Sequence, residues 1–205
     1  MKAYIWDLDG TLFDSYDEIA SSMANTLSSF GIHKEIEEFY DFIFKHSVHQ
    51  YLHMIEKEYS ISYDALNKIF QEFHKKKYLE VKAEYHSKEI LEFICSKGDR
   101  NFIFTHREST TMPILKNLGL DSYFTEVISV EDGFARKPNP EALNYFIHKY
   151  HLDMDHTYYI GDRQLDMECA KNAHIQAILY VSKQSVPSSQ FEDVTITDLL
   201  DVKDC

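Results

Sequence analysis

The chain has 205 residues, 44% hydrophobic and 27% charged, which excludes wholesale disorder and supplies enough apolar material for one compact core with a modest insertion. Thirty-four acidic residues against twenty-one basic ones give a net charge of −13. That balance argues against a nucleic-acid binder, because a phosphate backbone calls for a basic surface, yet a local site can still hold a small anion against the global field. Cys95, Cys169 and Cys205 show no CxxC spacing, so a disulfide framework is not expected and a reducing compartment fits. Met1–Leu8 contains Lys2 and Asp7 and too few apolar positions for a secretory leader. No apolar run approaches the ~18 residues of a spanning helix. The expectation is a cytoplasmic protein without a membrane partner.

The first predicted strand is Ala3–Leu8. It is nearly continuous in apolar residues, as in a parallel sheet covered on both faces. It ends in Asp7-Leu8-Asp9-Gly10-Thr11. Two carboxylates two residues apart project to the same side if the extended geometry holds, and Gly10 lets the backbone turn tightly.

From Ser15 to about Lys82 no strand pattern appears. Four apolar stripes recur at helical spacing instead: Ile19, Met23, Leu27 and Phe30; Ile36, Phe39, Tyr40, Ile43 and Phe44; Val48, Tyr51, Leu52 and Ile55; and Leu66, Ile69, Phe70 and Phe73. This is too much chain for a simple crossover and predicts a small helical insert, residues 15–82, within a core of residues 1–14 and 83–205. Lys45-His46-Ser47-Val48-His49 lies between two of these helices. The Lys75-Lys76-Lys77 run reads as a solvated helix face.

After a helix marked by Ile90, Leu91 and Ile94, a second strand, Asn101–Thr105, ends in Thr105-His106-Arg107. A hydroxyl there can donate to a phosphoryl oxygen, with Ser109 or Thr110 left to cap the following helix, marked by Met112, Leu115 and Leu118. A third strand, Glu126–Ser129, is followed by Arg136-Lys137-Pro138-Asn139-Pro140, where a lysine on a proline-stiffened turn is a point charge suited to phosphate. Ala142, Tyr145 and Phe146 mark another helix. A fourth strand, Tyr158–Ile160, leads into Gly161-Asp162-Arg163-Gln164-Leu165-Asp166, where the two aspartates share a helix face if a helix begins there. Asp162 can ligate a hard cation, and Asp166 can orient a ligand or the lysine. Ala177–Val181 is the fifth strand. Alternating strands and helices predict an α/β fold with a doubly wound parallel sheet, which binds ligands at the carboxyl ends of its strands. The eleven histidines show no HExxH spacing, and no zinc site is predicted.

Each motif follows its own strand, in order and with complementary charge. Together they resemble the haloacid dehalogenase-like hydrolase superfamily over essentially the whole chain. Asp7-x-Asp9-Gly10-Thr11 is similar to its first motif, Thr105 to the second, Lys137 to the third, and Asp162 with Asp166 to the fourth. The Thr105-His106-Arg107 and GDRxxD runs look most like phosphoglycolate-phosphatase-like members. The resemblance implies a Rossmann-like core with an inserted α-helical cap, and a phosphatase that hydrolyses a small phosphorylated metabolite. One departure is Ala173-His174-Ile175, where many relatives carry a central glycine.

On that resemblance Asp7 is the expected nucleophile, forming an aspartyl-phosphate, and Asp9 the expected acid and base. Neighbouring carboxylates are expected to favour the protonated form of Asp9. Mg²⁺ is expected on Asp7, Asp162 and the Asp9 carbonyl. Thr11, Thr105, His106 and Lys137 would hold the phosphate, with Asp166 supporting Lys137 or the metal. Lys45, His46 or Ser47 would meet the leaving group. A sugar phosphomutase and a non-catalytic binding module are the competing readings, and a monomer or a homodimer is compatible with the sequence.

Overall fold

The computed structural model describes residues 1–43, 46–182 and 190–205. Phe44 and Lys45, the latter one of the expected leaving-group contacts, lie outside the described residues. In chain order the elements are β1 (Ala3–Trp6), β2 (Phe13–Asp14), helices α1 (Tyr16–Ser29), α2 (Ile36–Ile43), α3 (Val48–Tyr59) and α4 (Tyr63–Lys77), then β3 (Lys82–Ala83), α5 (Ser87–Ser96), β4 (Arg100–Phe104), α6 (Thr111–Leu118), β5 (Phe124–Ile128), α7 (Glu141–Tyr150), β6 (Thr157–Gly161), α8 (Gln164–Asn172), β7 (Gln176–Tyr180) and β8 (Val194–Ile196). The chain divides into two compact units, one of Met1–Asp14 and Lys82–Cys205, the other of Ser15–Val81.

The first unit is built on a six-stranded sheet in the order β5-β4-β1-β6-β7-β8, with every pair parallel. Trp6, at the end of β1, stands level with Ile103 on β4 and Ile160 on β6, so three strands finish near one another. Such alignment gathers the residues after each strand at one edge of the sheet. All four β1 side chains are buried, which is why that stretch reads as continuously apolar. Trp6 packs inside the sheet, and its indole N–H donates to Asn101 Oδ1 at 3.0 Å. Ala142, Leu143 and Phe146 of α7 and Met167, Cys169 and Ala170 of α8 join Ile5, Phe102 and Phe104 in one core cluster.

Three strands were not anticipated. β8 buries only Ile196 while Val194 and Thr195 are exposed, so this edge strand lacks an apolar run. β2 and β3 form a two-residue antiparallel ladder, Phe13 opposite Ala83, with Lys82 and Ala83 exposed. Backbone pairing, not side-chain pattern, makes them strands. His174 takes a left-handed φ of 58°, which histidine adopts more readily than most residues.

The second unit is four helices around their own interior. Ile19, Met23 and Leu27 of α1 cluster with Phe39 and Ile43 of α2, Tyr51, Leu52 and Ile55 of α3, and Leu66 and Phe70 of α4. The i, i+3, i+4 spacing of these residues puts each set on one helix face. Ser47 caps α3 by accepting the Gln50 N–H at 3.2 Å, with the Gln50 side chain accepting the Ser47 N–H at 2.9 Å. Its hydroxyl is therefore spent on a capping box. His46 is exposed and its ring lies 4.6 Å from that of Phe42. Among the described residues no helix is long and apolar enough to cross a membrane.

Candidate active site

The loop after β1 turns back at once. Leu8 O accepts the N–H groups of Thr11, Leu12 and Phe13, and Gly10 N–H donates to Phe13 O at 2.9 Å. Gly10 makes this possible with φ of 81°, a conformation that costs most side chains 1–2 kcal/mol. The turn leaves Asp7 at the sheet edge, its own N–H fixed by Ile160 O at 2.8 Å.

Lys137 Nζ donates to Asp7 Oδ1 at 2.6 Å and to Asp166 Oδ1 at 2.8 Å, and its side chain is completely enclosed. The ammonium lies 5.1 Å from the Phe104 ring centre and 5.3 Å from that of Tyr159. Tyr159 OH lies 3.2 Å from both Asp166 Oδ1 and Phe104 O, and can donate to either. Asp166 Oδ2 accepts the Arg163 N–H at 3.2 Å. A buried charge needs partners of this quality to remain charged. Burial lowers the Lys137 pKa, but Asp166 and Asp7 outweigh it and hold the group above its usual value. Burial pushes Asp7 up to about 6, against the opposing pull of Lys137.

Asp7, Asp162 and Asp166 each offer a carboxylate oxygen, and the three oxygens lie within 4.8 Å of one another. Asp7 Oδ2 is buried without a hydrogen-bond partner. Hard oxygen donors with one unused carboxylate oxygen fit a hard divalent cation. Asp166 is already committed, through Oδ1 to Lys137 and through Oδ2 to a backbone N–H. Helix α8 starts only at Gln164, so Asp162 sits in the preceding turn and does not share a helix face with Asp166, as the sequence had suggested. The turn itself brings the two together. Gly161 is required by contact: a Cβ there would lie 2.5 Å from Asp166 Cβ and 2.6 Å from its Cγ.

Thr105 N–H donates to Ile128 O at 2.9 Å, and its hydroxyl accepts the Arg107 N–H at 3.1 Å, leaving the hydroxyl proton available. His106 accepts the Lys137 N–H through Nε2 at 3.0 Å, tying the loop after β4 to the loop bearing the lysine. An accepting Nε2 is the unprotonated ring nitrogen. Thr11 is enclosed, its hydroxyl without a hydrogen-bond partner among the described residues. Thr110 does not cap α6 with its side chain; its hydroxyl accepts from Arg107 Nη1 at 3.3 Å.

Against the Asp9 carboxylate stands the Arg107 guanidinium, with Nε 3.1 Å from Oδ1 and 3.2 Å from Oδ2 and Nη2 2.5 Å from Oδ1. Sequence reasoning assigned no task to Arg107 or Tyr159. A basic residue two positions after Thr105 was the only available signal for the first, and nothing in an apolar strand marks the second.

A sequence model of haloacid dehalogenase-like hydrolases matches residues 4–180. The chain belongs to that family. The phosphoglycolate phosphatase of Aquifex aeolicus is 28% identical to this hydrolase over 96% of this chain and 92% of that one. The pyrophosphatase PpaX of Oceanobacillus iheyensis is 24% identical over 98% and 95%. The crystal structure of a predicted phosphoglycolate phosphatase from Haemophilus somnus superposes with a TM-score of 0.87 at 20% identity, covering all of this chain and 97% of that one, and shows the shared fold.

Proposed function

We propose that this enzyme, a phosphoric monoester hydrolase of the haloacid dehalogenase-like family, uses Mg²⁺ and an aspartyl-phosphate on Asp7 to hydrolyse a small phosphorylated metabolite. The observation that carries this is Asp7 itself: a buried carboxylate with one oxygen on Lys137 and the other without a partner, beside Asp162. Relatives named for phosphoglycolate and pyrophosphate cleavage support a phosphate-bearing substrate and leave its organic part open.

Asp7 attacks phosphorus, the P–O bond to the leaving group breaks, and Asp9 gives that oxygen a proton. Asp9 then takes a proton from the water that opens the acyl phosphate. Lys137 and the Thr105 hydroxyl hold phosphoryl oxygens and offset their charge, which is where most of the barrier reduction in phosphoryl transfer arises. His106 positions Lys137 through its backbone N–H, and Asp166 holds its ammonium. Asp7 and Asp162, with the Asp9 carbonyl by family resemblance, would hold Mg²⁺, with Asp166 as support. When bound, the cation neutralises charge between an anionic nucleophile and an anionic substrate. Residues 15–81 serve as the cap, with His46 and Ser47 in its candidate specificity loop. The enzyme works as a cytoplasmic monomer or homodimer.

Asp7→Asn should lower phosphate release from a panel of phosphate esters by about 10⁴-fold or more while the thermal transition persists. Turnover near the parent's level in that variant refutes the nucleophilic role. EDTA should abolish turnover and Mg²⁺ restore it. Mg²⁺ should also raise the melting temperature of the parent and leave Asp162→Asn unmoved. A phosphomutase, by contrast, would convert a sugar phosphate to its isomer with little free phosphate. No Mg²⁺-dependent turnover across the panel would favour a binding module.

A further inference from the structure

We infer that Arg107 is a positioning residue for the proton transfer assigned to Asp9. This rests on the acid role proposed for Asp9 and adds a residue that role depends on.

Asp9 lies on a loop just past the sheet edge. A carboxylate there has several staggered χ1 wells, and only one can aim it along the reaction axis. Nη2 donates to Oδ1 and Nε to both Oδ1 and Oδ2, so the planar guanidinium meets both carboxylate oxygens as a fork, which selects one orientation and not merely one distance. The fork is itself immobilised. Nη1 reaches Thr110 Oγ1 at 3.3 Å, the guanidinium carbon lies 6.0 Å from the Phe13 ring centre, the Arg107 N–H is held by Thr105 Oγ1, and its carbonyl accepts the Val130 N–H.

The Arg107 side chain is 1% exposed and that of Asp9 is 19% exposed. The arginine therefore faces the carboxylate from the protein side, while the carboxylate keeps an accessible flank. With Nε and Nη2 on Asp9 and Nη1 on Thr110, Arg107 is poorly placed to receive a substrate anion and well placed to aim Asp9. Misplacing a reacting group by about 1 Å can cost on the order of 100-fold in rate, so loss of the fork should be felt where the acid is needed.

Leaving-group chemistry separates positioning from general support of the fold. An alkyl phosphate expels a basic alkoxide that requires a proton. p-Nitrophenyl phosphate expels a stable phenolate that does not. The measured quantity is kcat/KM, which covers every step up to departure of the leaving group. Asp9→Asn should depress the alkyl ester about 100-fold or more beyond its effect on the nitrophenyl ester, in line with the usual contribution of general acid catalysis. Arg107→Gln should show the same selective loss, Arg107→Lys a smaller one, and Asp9→Asn/Arg107→Gln no more than Asp9→Asn alone. Thr110→Val releases the far side of the fork without touching Asp9, and should give a selective loss of about 3–10-fold by loosening the same group; it decides the matter if the buried arginine variants fail to fold.

Equal losses on both esters in the Arg107 or Thr110 variants, with Asp9→Asn still discriminating, overturn the inference. Equal losses in Asp9→Asn itself overturn the acid role instead.

Discussion

The two units hold very different interiors. In the unit of Ser15–Val81 the enclosed surface is largely aliphatic and aromatic, and among the described residues its buried carboxylate and imidazole are Glu18 and His74, 2.8 Å apart. In the unit of Met1–Asp14 and Lys82–Cys205, Asp7, Arg107, Lys137, Asp162 and Asp166 are all enclosed, around the carboxyl ends of the strands. Apolar burial is worth about 25 cal/mol per Å² and asks for no partner. Enclosed charge is retained at a cost in desolvation, and each group must find a counterion or hydrogen bond. The helical unit is thus arranged for packing, whereas the sheet unit sacrifices some packing economy to keep charge in a dry place. Where a protein concentrates buried charge is where chemistry is to be sought.

Lys137→Ala should test that contrast most severely. It leaves the Asp7 and Asp166 carboxylates facing each other without their common cation, so urea unfolding without divalent ions should show a loss of about 3–5 kcal/mol. A loss below about 1 kcal/mol would mean the cluster is far better solvated than its enclosure implies. In the helical unit, Leu52→Ala removes a fully enclosed side chain and should cost about 2–5 kcal/mol by cavity formation. It should do so without the collapse of kcat that accompanies loss of Lys137; a comparable collapse would erase the distinction between the units.

The smallest effect belongs to an ordinary structural charge. Asp193 accepts the Ala177 N–H at 2.8 Å and lies 2.5 Å from Lys171 Nζ. Partial burial raises its pKa, but these two partners outweigh it and hold the group below its usual value. A carboxylate with a depressed folded-state pKa contributes stability above its unfolded value of about 3.9 and loses it as pH falls through the folded value. Asp193→Asn should therefore cost about 1 kcal/mol at pH 7 in urea melts, with the gap to the parent closing in strongly acid buffer. A gap that persists there would assign the effect to packing.

The parallel sheet was readable because four of its strands, β1, β4, β6 and β7, are largely buried and so appear as nearly unbroken apolar runs, while β5 at the edge buries only Ile128. The helices were readable because Ile19, Met23 and Leu27, or Tyr51, Leu52 and Ile55, repeat with a turn of helix. β8, β2 and β3 were not, because their existence depends on a neighbouring backbone and their side chains are largely exposed. Within the site, the carboxylates and Lys137 stood out because each follows a strand and their charges complement one another. The fork on Asp9 did not. Arg107 meets Asp9 across 98 positions of chain, and only the alignment of β1 with β4 makes them neighbours. Residue type suggested the chemistry, but pairing across the sheet edge was needed to say which charge faces which.

Gly161 shows how little slack this arrangement has. Its φ lies outside the left-handed region, so torsion alone would admit other residues, and the constraint comes from the Asp166 side chain pressed against it. In a saturation library at codon 161, even alanine, normally the mildest replacement, would have to displace an aspartate that two loops depend on. Any side chain at 161 has to move Asp166 and, with it, the ammonium that Asp166 holds.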